Sequence, residues 1–386
     1  MKRRLFLMLA ACAVLTLSGA LANFLLNPYG IWNTRLIDPI FRKPKDEHIA
    51  LPYAIHRDGL STLLVGTSRV VFGMRIDQLT ANGIVNGGVR AASLRDSCAV
   101  VQSAFANPHL KRIVWGLDFF QFNQGWNPAD PEFQRRFSGG PGVVIEDALL
   151  SLAALDNGID DFKRMLRGRA RLPITATAPI PWPPDTICRQ FAAQRSQGLV
   201  AMSSEAIVRQ IEILPGYQNY RWSDEFWRLF RATIDQAQRR RVQMILFVPP
   251  MSEYELEVIR RGGLWSDFDS WKRHLVTAGP VWDFSGYNRV ARAGDFYSDV
   301  MHHKPPVGQT LLRDLLGMPL PSCDGIAQTL NAGRVRLEQS NIDNAIAEQD
   351  RAMMETASDQ SRYSRLAAIG IKARQDRAAA NLRASF

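Results

Sequence analysis

A serine, an aspartate and a histidine at two distant points of this chain have the types and spacing of an acyl-transfer site. The first point is Leu63-Leu64-Val65-Gly66-Thr67-Ser68-Arg69, and the second is Tyr297-Ser298-Asp299-Val300-Met301-His302. A serine hydroxyl is a weak nucleophile until a base takes its proton and a carboxylate holds that base in the right tautomer. Asp299 and His302 have the D-x-x-H spacing that provides both from one turn. Taken singly, each piece is common, since a strand often runs into Gly-Thr-Ser and an Asp so placed is often a helix N-cap or one half of a surface pair.

The elements around these residues give the pair its meaning. Leu63 to Val65 is an apolar, β-prone run that breaks at Gly66 and delivers Ser68 at its carboxyl end, where ligands of open α/β sheets bind. Further along, short apolar runs alternate with helical stretches, the pattern of a mainly parallel sheet covered on both faces. Strands are expected over Thr62 to Val65, Gly83 to Asn86, Arg112 to Leu117 and Gln243 to Val248. A helix is expected over Ser93 to Ala106, with Leu94, Cys98, Val101 and Phe105 on one face. Another is expected from about Ser223 to Arg240, carrying Phe226, Trp227, Phe230 and Ile234 inward and ending on Arg239-Arg240-Arg241, which suits a helix C-terminus. The loop Pro249-Pro250-Met251-Ser252 opens on the same sheet edge as Ser68, a place for substrate contacts.

On these residues the chain resembles the SGNH (GDSL-type) hydrolase superfamily, in the membrane-anchored bacterial branch that includes alginate O-acetyltransferase-like proteins. The resemblance runs from about Asn27 to Gly317. Gly66-Thr67-Ser68-Arg69 is similar to the first block, with the nucleophile on Ser68, and Asn86-Gly87-Gly88-Val89 to the second, with Gly88 in the oxyanion position. Gly116-Leu117-Asp118 is similar to the third. Asp299 and His302, followed by Lys304 to Gly308 and an apolar helix from Leu311 to Leu316, are similar to the last. The resemblance implies a three-layer α/β/α fold of SGNH or flavodoxin-like type, and a Ser68/His302/Asp299 triad that forms an acyl-enzyme. It implies an O-acyltransferase for a cell-envelope or secreted polysaccharide, with an acyl-ester substrate and a membrane-bound acyl donor protein as a candidate partner. A carbohydrate esterase or deacetylase is the alternative, and a polysaccharide-binding or assembly protein without the chemistry is the third reading. Two departures stand out. Asp118 occupies the place of an asparagine that donates to the oxyanion, where an ionised carboxylate helps only if protonated or turned away. Thr67 and Arg69 replace the usual Asp and apolar neighbours of the serine. Arg69 could bind an anionic substrate group or anchor Asp118 or another carboxylate in a buried pair.

Met1-Lys2-Arg3-Arg4 is followed by Leu5 to Leu26, 22 positions without a charge, long enough to span about 30 Å of hydrocarbon. The positive-inside rule places Lys2, Arg3 and Arg4 in the cytoplasm and the rest across the membrane; with the bacterial branch that the chain resembles, this implies a single-pass protein of a bacterial inner membrane with a periplasmic ectodomain. Ala20-Leu21-Ala22 also fits a signal-peptide cleavage site, but the apolar run continues past it through Phe24-Leu25-Leu26. Three domains are therefore expected: an anchor at 1–26, an SGNH-like domain at 27–322 with an insertion at about 119–215, and a helical or partly disordered tail at 323–386.

A net charge of +10 admits nucleic acid, anionic lipid or acidic polysaccharide. Export and the absence of a nucleic-acid motif set the first aside, leaving a generally basic surface. No metal or other cofactor is expected, because the cysteines lack zinc-site spacing and His302 and His303 should point apart. Cys98, Cys188 and Cys323 lie outside the anchor and allow at most one disulfide, whose pairing the sequence leaves open. Asp283 reads as a strand-end turn residue before an alternative triad carboxylate. The insertion contains Gly139-Gly140 and five prolines between Pro173 and Pro184. Its aromatic residues Phe119, Phe120, Phe122, Trp126 and Trp182 either offer faces to sugars or pack the core, with packing expected for most. In the tail, Val335, Ile342, Ile346 and Met353 form a weak apolar stripe suited to docking.

Overall fold

The computed structural model describes residues 2–357 apart from 33, 35, 39–40, 42–46, 57–58, 75–82, 127–130, 139–140, 170–181, 213 and 324. Gly139-Gly140, most of the Pro173 to Pro184 run and the tail beyond 357 lie outside the described residues.

Six strands form one mixed sheet: β1 (Thr62–Gly66), β2 (Ile84–Gly88), β3 (Arg112–Gly116), β4 (Gln243–Val248), β5 (Val281–Asp283) and β6 (Val335–Leu337). Their order is β2-β1-β3-β4-β5-β6, with the first five parallel and β6 antiparallel to β5. Leu63, Leu64 and Val65 of β1 and Ile113, Val114 and Trp115 of β3 are wholly buried. That burial explains why these central strands read as unbroken apolar runs rather than alternating ones. The chain leaves β1 for β2 on one side and returns to β3 on the other, so the order reverses at β1. The carboxyl ends of the strands at such a reversal are the usual place for a ligand in an open α/β sheet.

The expected helices are present as Leu94–Ala104 and Asp224–Arg239. Ser93 caps the first in a reciprocal pair with Asp96, and Ser223 caps the second by accepting from the Phe226 N–H; each cap satisfies an orphan helix donor. The two helices meet where Gln102 donates to Thr233 at 3.1 Å.

Phe119, Phe120, Phe122 and Trp182 are buried in the same core as the strands, and Trp126 packs half-buried against it. Four of the five aromatic residues considered for sugar binding therefore pack the protein instead. The one disulfide among the described residues joins Cys188 to Cys323, while Cys98 is buried and free.

The tail differs from the expected helical or partly disordered segment, because Val335–Leu337 adds β6 to the sheet between helices Ile326–Gly333 and Ile342–Ala357. The bare edge of β5 offers backbone groups that need partners, and β6 supplies them. Ile342 and Ile346 are buried, and Gln349 bridges Asp283 at 3.0 Å and Lys272 at 2.6 Å. Asp283 also pairs with the buried Lys272 at 2.8 Å, which makes it a structural carboxylate.

Lys2–Leu26 is a single helix long and apolar enough to cross a membrane. Its last turns pack on residues 145–166, where Tyr29, Ala148 and Ala154 build a second, smaller apolar cluster.

Candidate active site

Gly66 ends β1 at φ +153°, and a Cβ there would lie 3.0 Å from the Gly116 carbonyl of β3. Only glycine meets both demands, so the turn at this point is set by the sequence. Thr67 caps the short helix Ser68–Gly73, accepting from the Arg69 N–H at 3.4 Å and donating to Asp118 Oδ2 at 2.6 Å. Ser68 is thereby held at the first helical position, half-buried, with its Oγ facing the Asp299–His302 loop.

That loop is tied down from several sides. The Ser298 N–H bonds the His302 carbonyl at 2.8 Å, Ser252 Oγ donates to the Val300 carbonyl at 2.6 Å, and the Val300 N–H donates to Gln210 at 3.0 Å. Tyr297 donates to the Met251 carbonyl at 2.9 Å. The Lys304 ammonium donates to the carbonyls of Gln194, Gln197 and Asp295 at 2.6–2.7 Å. Pro249-Pro250-Met251-Ser252, considered above for substrate contacts, is buried and serves instead to hold this loop.

The two pieces meet. His302 Nε2 lies 2.8 Å from Ser68 Oγ, and His302 Nδ1 lies 2.9 and 2.8 Å from the two carboxylate oxygens of Asp299. Asp299 Oδ1 also accepts from the N–H groups of Met301 and His302, each at 2.9 Å. Burial works to raise the Asp299 pKa, but the His302 hydrogen bond and charge and the two backbone donors outweigh it and hold the carboxyl below its ordinary value. An ionised Asp299 keeps Nδ1 protonated and leaves Nε2 as the acceptor toward Ser68. Side-chain exposure of 22 % for His302 and 31 % for Asp299 leaves the site open to solvent. No family model matches this sequence, and no curated protein matches it.

Of the remaining expected site residues, Arg69 and Asp118 come together away from the solvent. Arg69 Nε lies 3.2 Å from Asp118 Oδ1, and both side chains are almost wholly buried. Its Nη2 donates to Glu255, which also accepts from the Tyr217 hydroxyl. Asp118 is thus turned toward Thr67 and Arg69, and of the two roles open to Arg69 the structure displays the buried pair. Burial raises the Glu255 pKa against the pull of Arg69 and Tyr217, with the Asp118 charge adding to the rise.

Gly88 stands at the end of β2, where its N–H donates to Asn86 Oδ1 at 2.8 Å. Asn86 in turn donates to the carbonyls of Val70 and Met74 at 3.0 and 3.3 Å. The amide assigned to the oxyanion by resemblance therefore has an internal partner here. The N–H of Ser68, at the start of its helix, has no intrahelical carbonyl to bond.

His302 and His303 both border the helix Ser68–Gly73 but meet different residues of it, His302 facing Ser68 and Phe72. His303 is buried against Gly73, and burial, with the nearby Arg69 and His302 charges, pushes its pKa down to about 3. Gly308 lies against the Gly73 carbonyl and Gly73 against the His303 ring, so neither position has room for a side chain, and the helix of Ser68 rests directly on the chain that follows His302. Among the described residues no three His, Cys, Asp or Glu side chains converge as a metal site.

Several contributors were not singled out by sequence. Phe72, four residues after Ser68, is 44 % exposed and stands edge-on to His302 at 5.4 Å. Glu255, Tyr217 and Gln210 reach the site across long sequence separations. Ser252-x-x-Glu255 has the spacing of a helix start, and Ser252 Oγ does accept from the Glu255 N–H at 3.3 Å, but nothing local marks Glu255 as the partner of Arg69.

Proposed function

We propose that this chain is a membrane-anchored SGNH-like acyl-transfer enzyme with a periplasmic ectodomain of three-layer α/β/α type, acting as an O-acetyltransferase on the hydroxyls of a cell-envelope or secreted polysaccharide. The observation that carries this reading is the continuous run of hydrogen bonds from Ser68 Oγ through His302 to Asp299. The position of Ser68 at the sheet reversal, the span-length N-terminal helix and the Cys188–Cys323 disulfide, which suits an oxidising compartment, support it.

In the mechanism, His302 Nε2 takes the Ser68 proton as Oγ attacks the carbonyl carbon of an acyl ester. Charge on the carbonyl oxygen is met by the Ser68 N–H and by the Gly88 N–H, which exchanges its Asn86 partner for the oxyanion. His302 then gives the proton to the departing alkoxide, leaving an acyl-enzyme. In the second half His302 deprotonates a sugar hydroxyl, or water in an esterase, and the acyl group passes to that oxygen while the proton returns to Ser68.

The test is p-nitrophenyl acetate turnover by the detergent-solubilised full chain, with and without a polysaccharide acceptor, beside Ser68→Ala and His302→Ala. Loss of about 10³-fold or more in both variants is expected, together with acetyl transfer to the acceptor. Serine-dependent turnover without transfer makes the protein an esterase. Absence of serine-dependent turnover or labelling overturns the enzymatic reading in favour of a binding or assembly role, which the engaged Gly88 amide and the carboxylate at Asp118 would then explain.

A further inference from the structure

Outside the anchor, the exposed large apolar side chains among the described residues concentrate in one segment: Ile145, Leu150, Leu152, Ile159 and Leu166. Leu150 and Leu152 are 53 % and 82 % exposed, on the turn that opens helix Leu152–Leu166. The same turn is bonded to the anchor. Both amide protons of Asn23 are taken up there, by the carbonyls of Leu149 at 2.8 Å and Ser151 at 3.0 Å, and Gly158 lies against Leu26 with no room for a side chain.

These bonds fix the level of the turn along the anchor. At about 1.5 Å per residue, the apolar run Leu5 to Leu26 measures about 33 Å, slightly more than a hydrocarbon core of about 30 Å. Asn23, three residues before its end, therefore sits close to the hydrocarbon boundary. Leu150 and Leu152 flank the carbonyls bonded to Asn23 and share that level. Moving along the exposed face of the helix, Asp156 follows one turn later and Lys163 two turns beyond that, so the uninterrupted apolar contact ends with Leu152. Of the acidic neighbours, Asp147 pairs with Arg136, and Glu146 shares Arg135 with Glu132.

We propose that Ile145, Leu150 and Leu152 form a second membrane contact, dipping into the outer face of the same bilayer that the anchor spans. This rests on the reading of Lys2–Leu26 as a membrane anchor. Two attachments, rigidly bonded through Asn23, hold the ectodomain at one tilt to the bilayer instead of letting it swing on a tether.

The experiment places nitroxide labels one at a time at Leu150→Cys, Leu152→Cys and Leu15→Cys of the full chain, in a Cys12→Ser background. The protein is reconstituted into phosphatidylethanolamine–phosphatidylglycerol nanodiscs. Collision with oxygen and with a water-soluble nickel chelate is then measured for each label. Labels at 150 and 152 are expected to favour oxygen, as the label at 15 does. If 15 favours oxygen while 150 and 152 favour nickel, the second contact is overturned and the anchor stands. Shielding of 150 and 152 from both reagents also overturns it, since protein then covers the patch. A label at 15 that favours nickel overturns the anchor itself, and the proposal falls with it.

Discussion

Two sets of charged groups flank Ser68, and they differ in almost every physical respect. Asp299 and His302 come from one turn and remain partly exposed; Arg69, Asp118 and Glu255 come from three separate parts of the chain and are sealed from water. The first set ends on the half-buried Ser68 hydroxyl. The second ends on Thr67, the residue that caps the helix of Ser68. Proximity to the candidate serine is therefore a poor guide to role: an accessible group is free to exchange protons with its surroundings, whereas a sealed ion cluster holds backbone in place.

The sharpest way to break this contrast is to remove one member from each set. Arg69→Met leaves two carboxylates without their counter-ion, and a loss of about 3–5 kcal/mol of stability is expected in denaturant unfolding. Ser68→Ala should stay within about 0.5 kcal/mol of the parent while losing reaction with a fluorophosphonate probe. Equal stability losses in the two variants would erase the distinction.

A smaller effect tests whether Asp118 is scaffold or site. Asp118→Asn keeps an acceptor for Thr67 and lifts the repulsion that discourages ionisation of Glu255, so Glu255 can take over as counter-ion. The expected cost is about 1–2 kcal/mol, read from the same unfolding curves, with probe labelling of Ser68 little changed. A large gain in labelling would place residue 118 at the oxyanion instead.

The smallest effect carries the comparison to another carboxylate. Asp269 faces Asp350 of the docked tail helix, and burial with that neighbouring charge raises its pKa from 3.8 to about 6, against Lys272 and Arg273. The folded state then holds this proton more tightly than the unfolded chain, so the associated stability is present below about pH 4 and is lost as the pH rises through about 6. Amide protection of Ile342–Ala357, corrected for intrinsic exchange, should fall by about 1 kcal/mol between pH 4 and pH 8. Asp269→Asn should flatten that dependence.

The same contrast explains what could be read from the sequence. Period and run length revealed β1 to β4 and the two long helices, because each is a local pattern reinforced by caps such as Ser93 and Ser223. Asp299 and His302 were legible for the same reason, and Ser68 because a glycine that no other residue could replace breaks its strand. β6 was missed: three residues in an Ala- and Arg-rich tail carry too little signal, and the open edge of β5 decides their conformation. Glu255 was missed because its role exists only once Arg69 is buried beside it. For Arg69 itself the sequence left two roles open, and burial selected between them.

The short β6 strand also determines what the molecule presents to its neighbours at high concentration. The sheet stops there on a ladder of three residues, with Arg334 and Arg336 lying 4.7 and 5.6 Å from the Trp282 ring. A strand from another molecule would find few free backbone groups and bulky, solvated side chains across its approach, an arrangement that discourages edge-to-edge aggregation. A chain shortened before Val335 would lose that protection and expose β5, so residues that read as a helical or partly disordered tail guard the edge of the sheet.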